Sequence, residues 1–206
     1  MKESRLRAVL TALIDIVWAG LLWLICSLPV ITLGASTTAL YYAVVKCIRH
    51  ERGRLTGSFF RAFRDNFRQA TLLWLLVLAY LLIGLGDAYA LGLMGAKEGG
   101  VLYYISRLFF VPPVLLFPWL FSFLSRFQNT VSGTLRYTFY LAMRNLGATL
   151  LLVAEMAVFA AICWLLPQIL PLLPGAFCLL MSLSIEPVFR TLTGDQGEGE
   201  DAWYNE

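Results

Sequence analysis

Charged residues are scarce in this sequence. Asp, Glu, Lys and Arg make up only 14% of its 206 residues, whereas soluble domains carry about 25%. Hydrophobic residues make up 59%, so the polar residues are too few to cover a soluble fold of this size. The composition therefore excludes an ordinary soluble domain and indicates a protein whose solvent is the lipid bilayer. The net charge of +3 is too small to favour a nucleic-acid partner.

Residues suited to catalysis and metal binding are also few. His50 is the only histidine, and the four cysteines (Cys26, Cys47, Cys163 and Cys178) form no C-x-x-C pair. No Gly-rich phosphate loop is present, and no Ser/His/Asp or Cys/His set can be assembled on one side of a membrane. We therefore predict no enzyme activity, no cofactor and no metal. The cysteines are interpreted as small buried side chains, with a Cys163–Cys178 disulfide as the alternative.

Long apolar runs dominate the chain, and a helix needs about 20 apolar residues to cross a bilayer. Five runs have about that length: 8–31, 71–91, 101–124, 146–166 and 170–189. The first run is too long for a cleaved signal peptide, so we expect it to be retained. A sixth run, 35–48, is shorter, and the hydroxyls of Ser36, Thr37 and Thr38 are expected to cap its start. The sequence predicts an all-α bundle of six transmembrane helices, or five if 35–48 is a half-helix.

The basic residues favour the six-helix alternative, because Lys and Arg accumulate on the cytoplasmic side of membranes. With six spans and a cytoplasmic N-terminus, 14 of the 16 basic residues lie inside, Lys97 lies outside and Arg107 lies within a span. With five spans and an external N-terminus, 11 lie inside and four lie outside. We therefore predict one transmembrane domain, 1–190, with both termini cytoplasmic. The acidic, Gly-containing segment 191–206 is interpreted as a short disordered cytoplasmic tail.

Two segments between the runs are amphipathic. In 58–69, aromatic residues share one helical face and basic residues lie beside it. These residues are Phe59, Phe60, Phe63 and Phe67, with Arg61, Arg64 and Arg68. An aromatic face next to a basic face suits a helix at an anionic membrane surface or against a partner. The second segment, 134–145, shows the same separation less cleanly, so one or two interfacial helices are predicted.

Ionisable residues inside a membrane are costly, and they are functional candidates for that reason. Five fall within the predicted spans: Asp15, Asp87, Arg107, Glu155 and Glu186. Glu155 is the deepest, and Asp15 and Glu186 are the other candidate functional residues. The alternative for each is a structural role, in which it pairs or hydrogen-bonds with a neighbouring helix.

Small residues and prolines indicate how two of the spans pack. The third predicted span, 71–91, has small residues at every fourth position toward and just beyond its end, namely Gly84, Ala88 and Gly92. Such spacing allows helices to approach closely. The fourth predicted span, 101–124, contains three prolines, which predict a break or kink in its middle: Pro112, Pro113 and Pro118.

Two stretches are distinctive in their order of residues. Residues 27–42 read SLPVITLGASTTALYY, and residues 58–71 read SFFRAFRDNFRQAT. Together they resemble the YesL family, small bacterial multi-pass membrane proteins built around a domain of unknown function. The resemblance implies a protein of the bacterial plasma membrane with a link to carbohydrate uptake. It implies no catalytic residues.

Two functional hypotheses follow. The first is an accessory or regulatory membrane component that assists carbohydrate uptake, with the bilayer and possible sugar-transporter subunits as partners. The second is a small transporter that uses Glu155 in an intramembrane cavity. The sequence gives no indication of the oligomeric state.

Overall fold

The structure, a computed structural model, describes residues 2–94, 100–127 and 129–193, with side chains from residue 10 to residue 192. Its α-helices are α1 (Lys2–Ser27), α2 (Leu33–Ala43), α3 (Leu55–Leu93), α4 (Val101–Leu108), α5 (Val111–Arg126), α6 (Val131–Arg144), α7 (Leu146–Leu165) and α8 (Leu173–Thr193). Two 3₁₀-helices, Val30–Thr32 and Pro167–Ile169, and a π-helix, Val44–Arg49, complete the secondary structure. This part of the chain contains no strand, so the all-α prediction is confirmed. Lys97 and residues 194–206 of the predicted tail lie outside the described residues.

Six segments are long and apolar enough to cross a membrane, as predicted. They are Leu10–Ser27, Val30–Arg49, Leu55–Leu93, Val101–Arg126, Leu146–Leu165 and Leu173–Leu192. The second one is longer than the sequence pattern suggested, because a 3₁₀ turn precedes α2 and the π-helix follows it. Its 20 residues reach about 30 Å, the thickness of a bilayer core. The five-helix alternative was based on the shortness of the second span, and the structure does not show that shortness.

The turn between α1 and α2 is tight. α1 ends at Ser27, shortly before Pro29, and the 3₁₀-helix Val30–Thr32 reverses the chain. The Thr32 hydroxyl donates to the carbonyl oxygens of Cys26 at 2.6 Å and Pro29 at 2.7 Å. The Cys26 carbonyl is one that the ending helix leaves without an intrahelical partner.

The predicted hydroxyl cap of the second helix is wrong. α2 begins two residues before Ala35, so the three hydroxyls lie inside it. Each donates to the carbonyl four residues earlier: Ser36 to Thr32, Thr37 to Leu33 and Thr38 to Gly34. This back-bonding is the usual alternative for Ser and Thr within a helix, and it leaves no polar hydrogen exposed to lipid.

Helix α3 is one continuous helix of 39 residues, about 58 Å long. Its first half packs antiparallel to α2, since Cys47 contacts Ser58 (Sγ to Oγ, 3.4 Å) and Gly34 packs on Trp74. The amphipathic segment 58–69 is therefore the first part of the spanning helix. The second half of α3 runs beside α4 and α5, where the Tyr80 ring stacks on Phe109 at 4.1 Å.

The predicted fourth span is broken into two helices. α4 ends at Leu108, and α5 restarts at Val111 with prolines in its first turn. A continuous helix would need backbone donors at Pro112 and Pro113, which proline lacks, whereas the first turn of a new helix needs none. Pro118 lies within α5, and the Ser122 hydroxyl donates to its carbonyl oxygen at 2.7 Å.

Helix α2 occupies the centre of the bundle. In Val30–Arg49, 12 of the 20 residues are buried inside the protein, against two of the 20 in Leu146–Leu165. Exposed leucines and aromatic side chains cover the outer spans, which is expected of helices that contact lipid. Of the predicted small-residue series, Gly84 is buried against the Phe109 ring, whereas Gly92 has no neighbour within 4 Å of where a Cβ would lie.

Candidate functional site

A buried ion pair joins three helices at the basic end of the bundle. Glu186 of α8 and Arg126, the last residue of α5, are 2.6 Å apart, with side chains 1% and 6% exposed. Tyr41 of α2 donates its hydroxyl to the other carboxylate oxygen of Glu186 at 3.0 Å. Since both charges are withdrawn from solvent, the pair acts as a cross-link between α2, α5 and α8 whose loss would be costly.

Aromatic rings surround the guanidinium of Arg126. Its central carbon lies 5.7 Å from the ring centre of Phe127 and 5.6 Å from that of Phe189. The Phe189 ring also packs on Trp119 and Phe123. A guanidinium can stack on rings and still donate hydrogen bonds in its plane, which explains why this position suits Arg better than Lys.

The π-helix adds two more cations beside α8. Arg49 donates to both the carbonyl oxygen and the hydroxyl of Ser182, one turn before Glu186. Lys46, which is 8% exposed, donates to the Tyr42 hydroxyl at 3.0 Å. A π-helical turn widens the helix and changes the direction of its side chains, and such turns are frequent at functional sites. Here it turns Arg49 toward α8.

His50 follows the π-helix and is half-buried. Burial is the main cause that lowers its pKa, and Arg49, Arg190 and Arg52 lower it further, while Glu186 opposes them. With a pKa below the ordinary value of about 6.5, the imidazole is neutral at pH 7. His50 therefore adds no positive charge to the cluster at that pH.

A polar cleft of about 430 Å³ opens beside the ion pair, between the first half of α3 and the end of α5. Its polar lining includes Tyr42, Arg61, Asp65, Asn66, Gln69 and Arg126. Gln69 also holds the start of α6 and the residue Asn129 before it. Its amide donates to the Asn129 carbonyl oxygen at 2.8 Å and to the Thr134 hydroxyl at 3.1 Å. Arg126 thus connects the buried pair to a cleft that solvent can enter.

The structure does not bring the three candidate carboxylates together. Glu186 is in the ion pair, but Asp15 is half-buried on α1 near Cys47. Glu155 is half-buried on α7 and accepts from the Ser184 hydroxyl at 3.3 Å, while its Oε2 atom is buried without a hydrogen-bond partner. Asp15 and Glu155 therefore belong to separate environments.

The other ionisable residues of the spans lie at the surface of the described structure. Asp87 is exposed on α3, and Arg107 is exposed on α4 with its guanidinium 5.1 Å from the Tyr103 ring centre. All four cysteines are free thiols, so the alternative Cys163–Cys178 disulfide is not formed. Among residues 2–94, 100–127 and 129–193, no three His, Cys, Asp or Glu side chains are placed to hold a metal ion.

The aromatic face predicted in 58–69 is divided between the core and the surface. Phe59 is fully buried against the core and cannot form part of a lipid or partner surface, and Phe63 is half-buried and stacks on it. The side chains that remain exposed on the far side of α3 are Phe60, Arg64, Phe67 and Arg68. Arg61 points to the cleft instead.

Sequence reasoning missed two members of the site, Arg126 and Tyr41. Arg126 was only one of many basic residues near a span end, although it directly follows the apolar end of its run. Tyr41 belongs to the distinctive stretch 27–42, but a tyrosine within a span gives no sign of its partner. Their contacts with Glu186 depend on how α2, α5 and α8 pack.

Comparison with known proteins supplies one match. Residues 16–88 match the model of a family described as Protein of unknown function, DUF624. The match covers about a third of the chain, from the middle of α1 to the second half of α3, and includes both distinctive stretches. No curated protein and no solved structure matches the chain. The chain is thus a helical membrane protein with a segment similar to DUF624, whose description states no activity.

Proposed function

We propose that this protein is a non-enzymatic accessory component of the bacterial plasma membrane, of the YesL type, that docks onto subunits of a sugar transporter. The docking face consists of Phe60, Arg64, Phe67 and Arg68 on α3. The link to carbohydrate uptake comes from the resemblance of residues 27–42 and 58–71 to that family. The physical support comes from the length of α3 and the exposure of this face.

The length of α3 is the observation on which the proposal rests. Its 39 residues give about 58 Å, whereas a bilayer core is about 30 Å thick. The apolar part of α3 follows residue 70, so the first half extends beyond the hydrocarbon at the basic end. Packing against α2 holds this half rigidly, since Phe59, Ala62 and Ala70 are buried. The docking face is therefore held in a fixed orientation.

The composition of this face suits a protein partner at the membrane surface. Phe60 is 48% exposed and Phe67 is 37% exposed, and both flank arginines that are open to solvent. Phenylalanine and arginine are enriched in protein–protein interfaces, where the ring supplies buried area and the guanidinium pairs with carboxylates. The expected partner surface is apolar with an acidic rim.

The orientation of the docking face is testable by labelling. We propose that it is cytoplasmic, because the positive-inside distribution places residues 46–68 inside. In a background without the native cysteines, Gly57→Cys should react only with a reagent that enters the cell, and Gly100→Cys should react with an impermeant one. Both positions are exposed. Labelling of Gly57→Cys by the impermeant maleimide in intact cells would contradict the proposed orientation.

Docking is testable by affinity purification from membranes. The tagged full chain, solubilised in mild detergent, is expected to enrich sugar-transporter subunits. Arg64→Glu combined with Phe67→Ala should reduce that enrichment at least about tenfold, because losing a charged contact and a buried ring costs several kcal/mol. Arg136→Glu is the charge-reversal control, since Arg136 is an exposed arginine on a different helix, α6.

Two results would reject the docking proposal. One is the absence of transporter subunits from the purified wild-type protein, measured against a tagged unrelated membrane protein. The other is an equal reduction for the α3 variant and the Arg136→Glu control, which would indicate non-specific charge attraction. Circular dichroism of each variant checks that the bundle still folds.

One observation favours the transporter alternative. The Oε2 atom of Glu155 is buried without a partner inside an apolar helix, an arrangement typical of groups that exchange protons or ions in membranes. However, the apolar cavity of about 310 Å³ between α1, α2, α5, α7 and α8 is lined by Met156 and Phe159 of α7, and Glu155 does not line it. Proton or sugar flux in proteoliposomes that is lost in Glu155→Gln would support this alternative over docking.

A further inference from the structure

The polar cleft borders the docking face on α3 but has its own lining. Arg61, Asp65 and Gln69 follow one another at intervals of four residues, so they share one side of the helix. All three line the cleft, whereas none of the four docking-face residues does. The two surfaces are therefore separable by mutation, and an inference about the cleft does not depend on the docking proposal.

We infer that this cleft binds the phosphate of an anionic phospholipid headgroup. The described lining carries two guanidinium groups, Arg61 and Arg126, and one carboxylate, Asp65. Glu186 balances the charge of Arg126 from behind the cleft, so the lining is rich in hydrogen-bond donors without a large excess of positive charge. The amides of Asn66 and Gln69 add neutral groups that can donate. Arginines with further donors around them form the usual protein environment for phosphate.

The base of the cleft is prearranged for an anion. Arg126 has a side chain only 6% exposed and is held by Glu186 on one side, and between the rings of Phe127 and Phe189. An arginine already fixed in position loses little conformational freedom when a ligand arrives. Arg61 is exposed at the rim and can close on the ligand from the other side.

The position of the cleft along α3 selects a lipid as the source of the phosphate. Asn66 and Gln69 lie two to five residues before Thr71, where the apolar run begins, which corresponds to about 3–8 Å along the helix. The headgroup region of a bilayer extends about 5–8 Å from the hydrocarbon. A headgroup can therefore enter the cleft while its acyl chains remain beside the exposed leucines of the spans. Basic pockets between transmembrane helices bind anionic headgroups elsewhere in this way.

The experiment measures lipid binding by the purified full chain in neutral detergent. Phosphatidylglycerol, phosphatidylcholine and inorganic phosphate are added in separate titrations, with thermal unfolding and native mass spectrometry as readouts. Saturating phosphatidylglycerol is expected to raise the melting temperature by about 5–10 °C and to give a one-to-one adduct. Phosphatidylcholine and inorganic phosphate are expected to produce neither effect.

Variants separate the cleft from general surface charge. Arg61→Gln should weaken phosphatidylglycerol binding by about tenfold or more, the effect of losing one charged hydrogen-bonding group. Arg64→Gln removes the same charge three residues away, outside the cleft, and should change the affinity less than twofold. Both positions are exposed, so both variants should fold.

Three outcomes would overturn the inference. Equal weakening in both variants would show that phosphatidylglycerol responds to the overall charge of α3. An equal response to phosphatidylcholine would show that the anionic headgroup is not recognised. A full response to inorganic phosphate would assign the cleft to a soluble anion instead of a lipid.

Discussion

Glu186→Gln is expected to lower the free energy of unfolding by about 3–5 kcal/mol, because it leaves the guanidinium of Arg126 buried without its counter-charge. The two side chains are 1% and 6% exposed, so little of the guanidinium is within reach of water that could replace the lost carboxylate. Glutamine keeps the shape of the side chain, so the loss reports charge and not packing. Unfolding in mixed micelles, followed by circular dichroism against denaturant, measures the difference.

A double replacement provides the control for this prediction. Arg126→Met with Glu186→Leu removes both charges and keeps similar volume, and such exchanges in protein interiors are often neutral or stabilising. The double variant is therefore expected to recover most of the stability lost in Glu186→Gln and in Arg126→Met alone. If each single variant lost less than about 1 kcal/mol, the pair would be no stronger than a surface salt bridge, and the assignment of a cross-link would be wrong.

Gly34→Ala is expected to destabilise the protein by about 1–3 kcal/mol, the usual cost of overpacking. A Cβ at Gly34 would lie 2.6 Å from the Ala70 carbonyl oxygen and 2.7 Å from the Trp74 Cβ. Since both atoms belong to or adjoin the backbone of α3, neither can rotate away, and α2 must shift. The same unfolding measurement detects this loss.

Gly57→Ala is the matched control, because it makes the same chemical change within a helix but in open space. No atom lies within 4 Å of a Cβ at Gly57. Alanine forms helices more readily than glycine by about 0.5–1 kcal/mol, so this variant should be more stable than wild type. Opposite signs for the two variants are the expected result. A gain in both would show that α2 and α3 do not approach closely at Gly34.

The spans could be predicted from the sequence because their signal is local. A run such as 146–166 is too apolar to be exposed to water, so lipid is the solvent that suits it. Helix α7 (Leu146–Leu165) matches this run closely. The second span was harder, because its signal ended at Ile48 and began at Ala35. The 3₁₀ turn and the π-helix that extend it are local geometries which hydropathy does not encode. The hydroxyls of Ser36, Thr37 and Thr38 were consequently assigned to a cap instead of the helix interior.

The site was only partly predictable, because it depends on contacts distant in sequence. Glu186 is a candidate only because a carboxylate is costly to place inside a membrane. Its partners cannot be read from the sequence, since Tyr41 lies 145 residues away and Arg126 lies 60 residues away. The periodicity of aromatic residues in 58–69 correctly indicates a helix. However, periodicity alone cannot show that α2 covers Phe59 and leaves Phe60 exposed.

The continuity of α3 has a mechanical consequence. No proline interrupts Leu55–Leu93. Its first half packs on α2, its second half runs beside α4, and α5 lies along both. A rigid rod about 58 Å long that tilts by about 10° carries one end about 10 Å relative to the other. A force applied at Arg61 or Arg64 would therefore be transmitted along α3 past Gly84 and the Phe109 ring to the other end of the helix at Leu93.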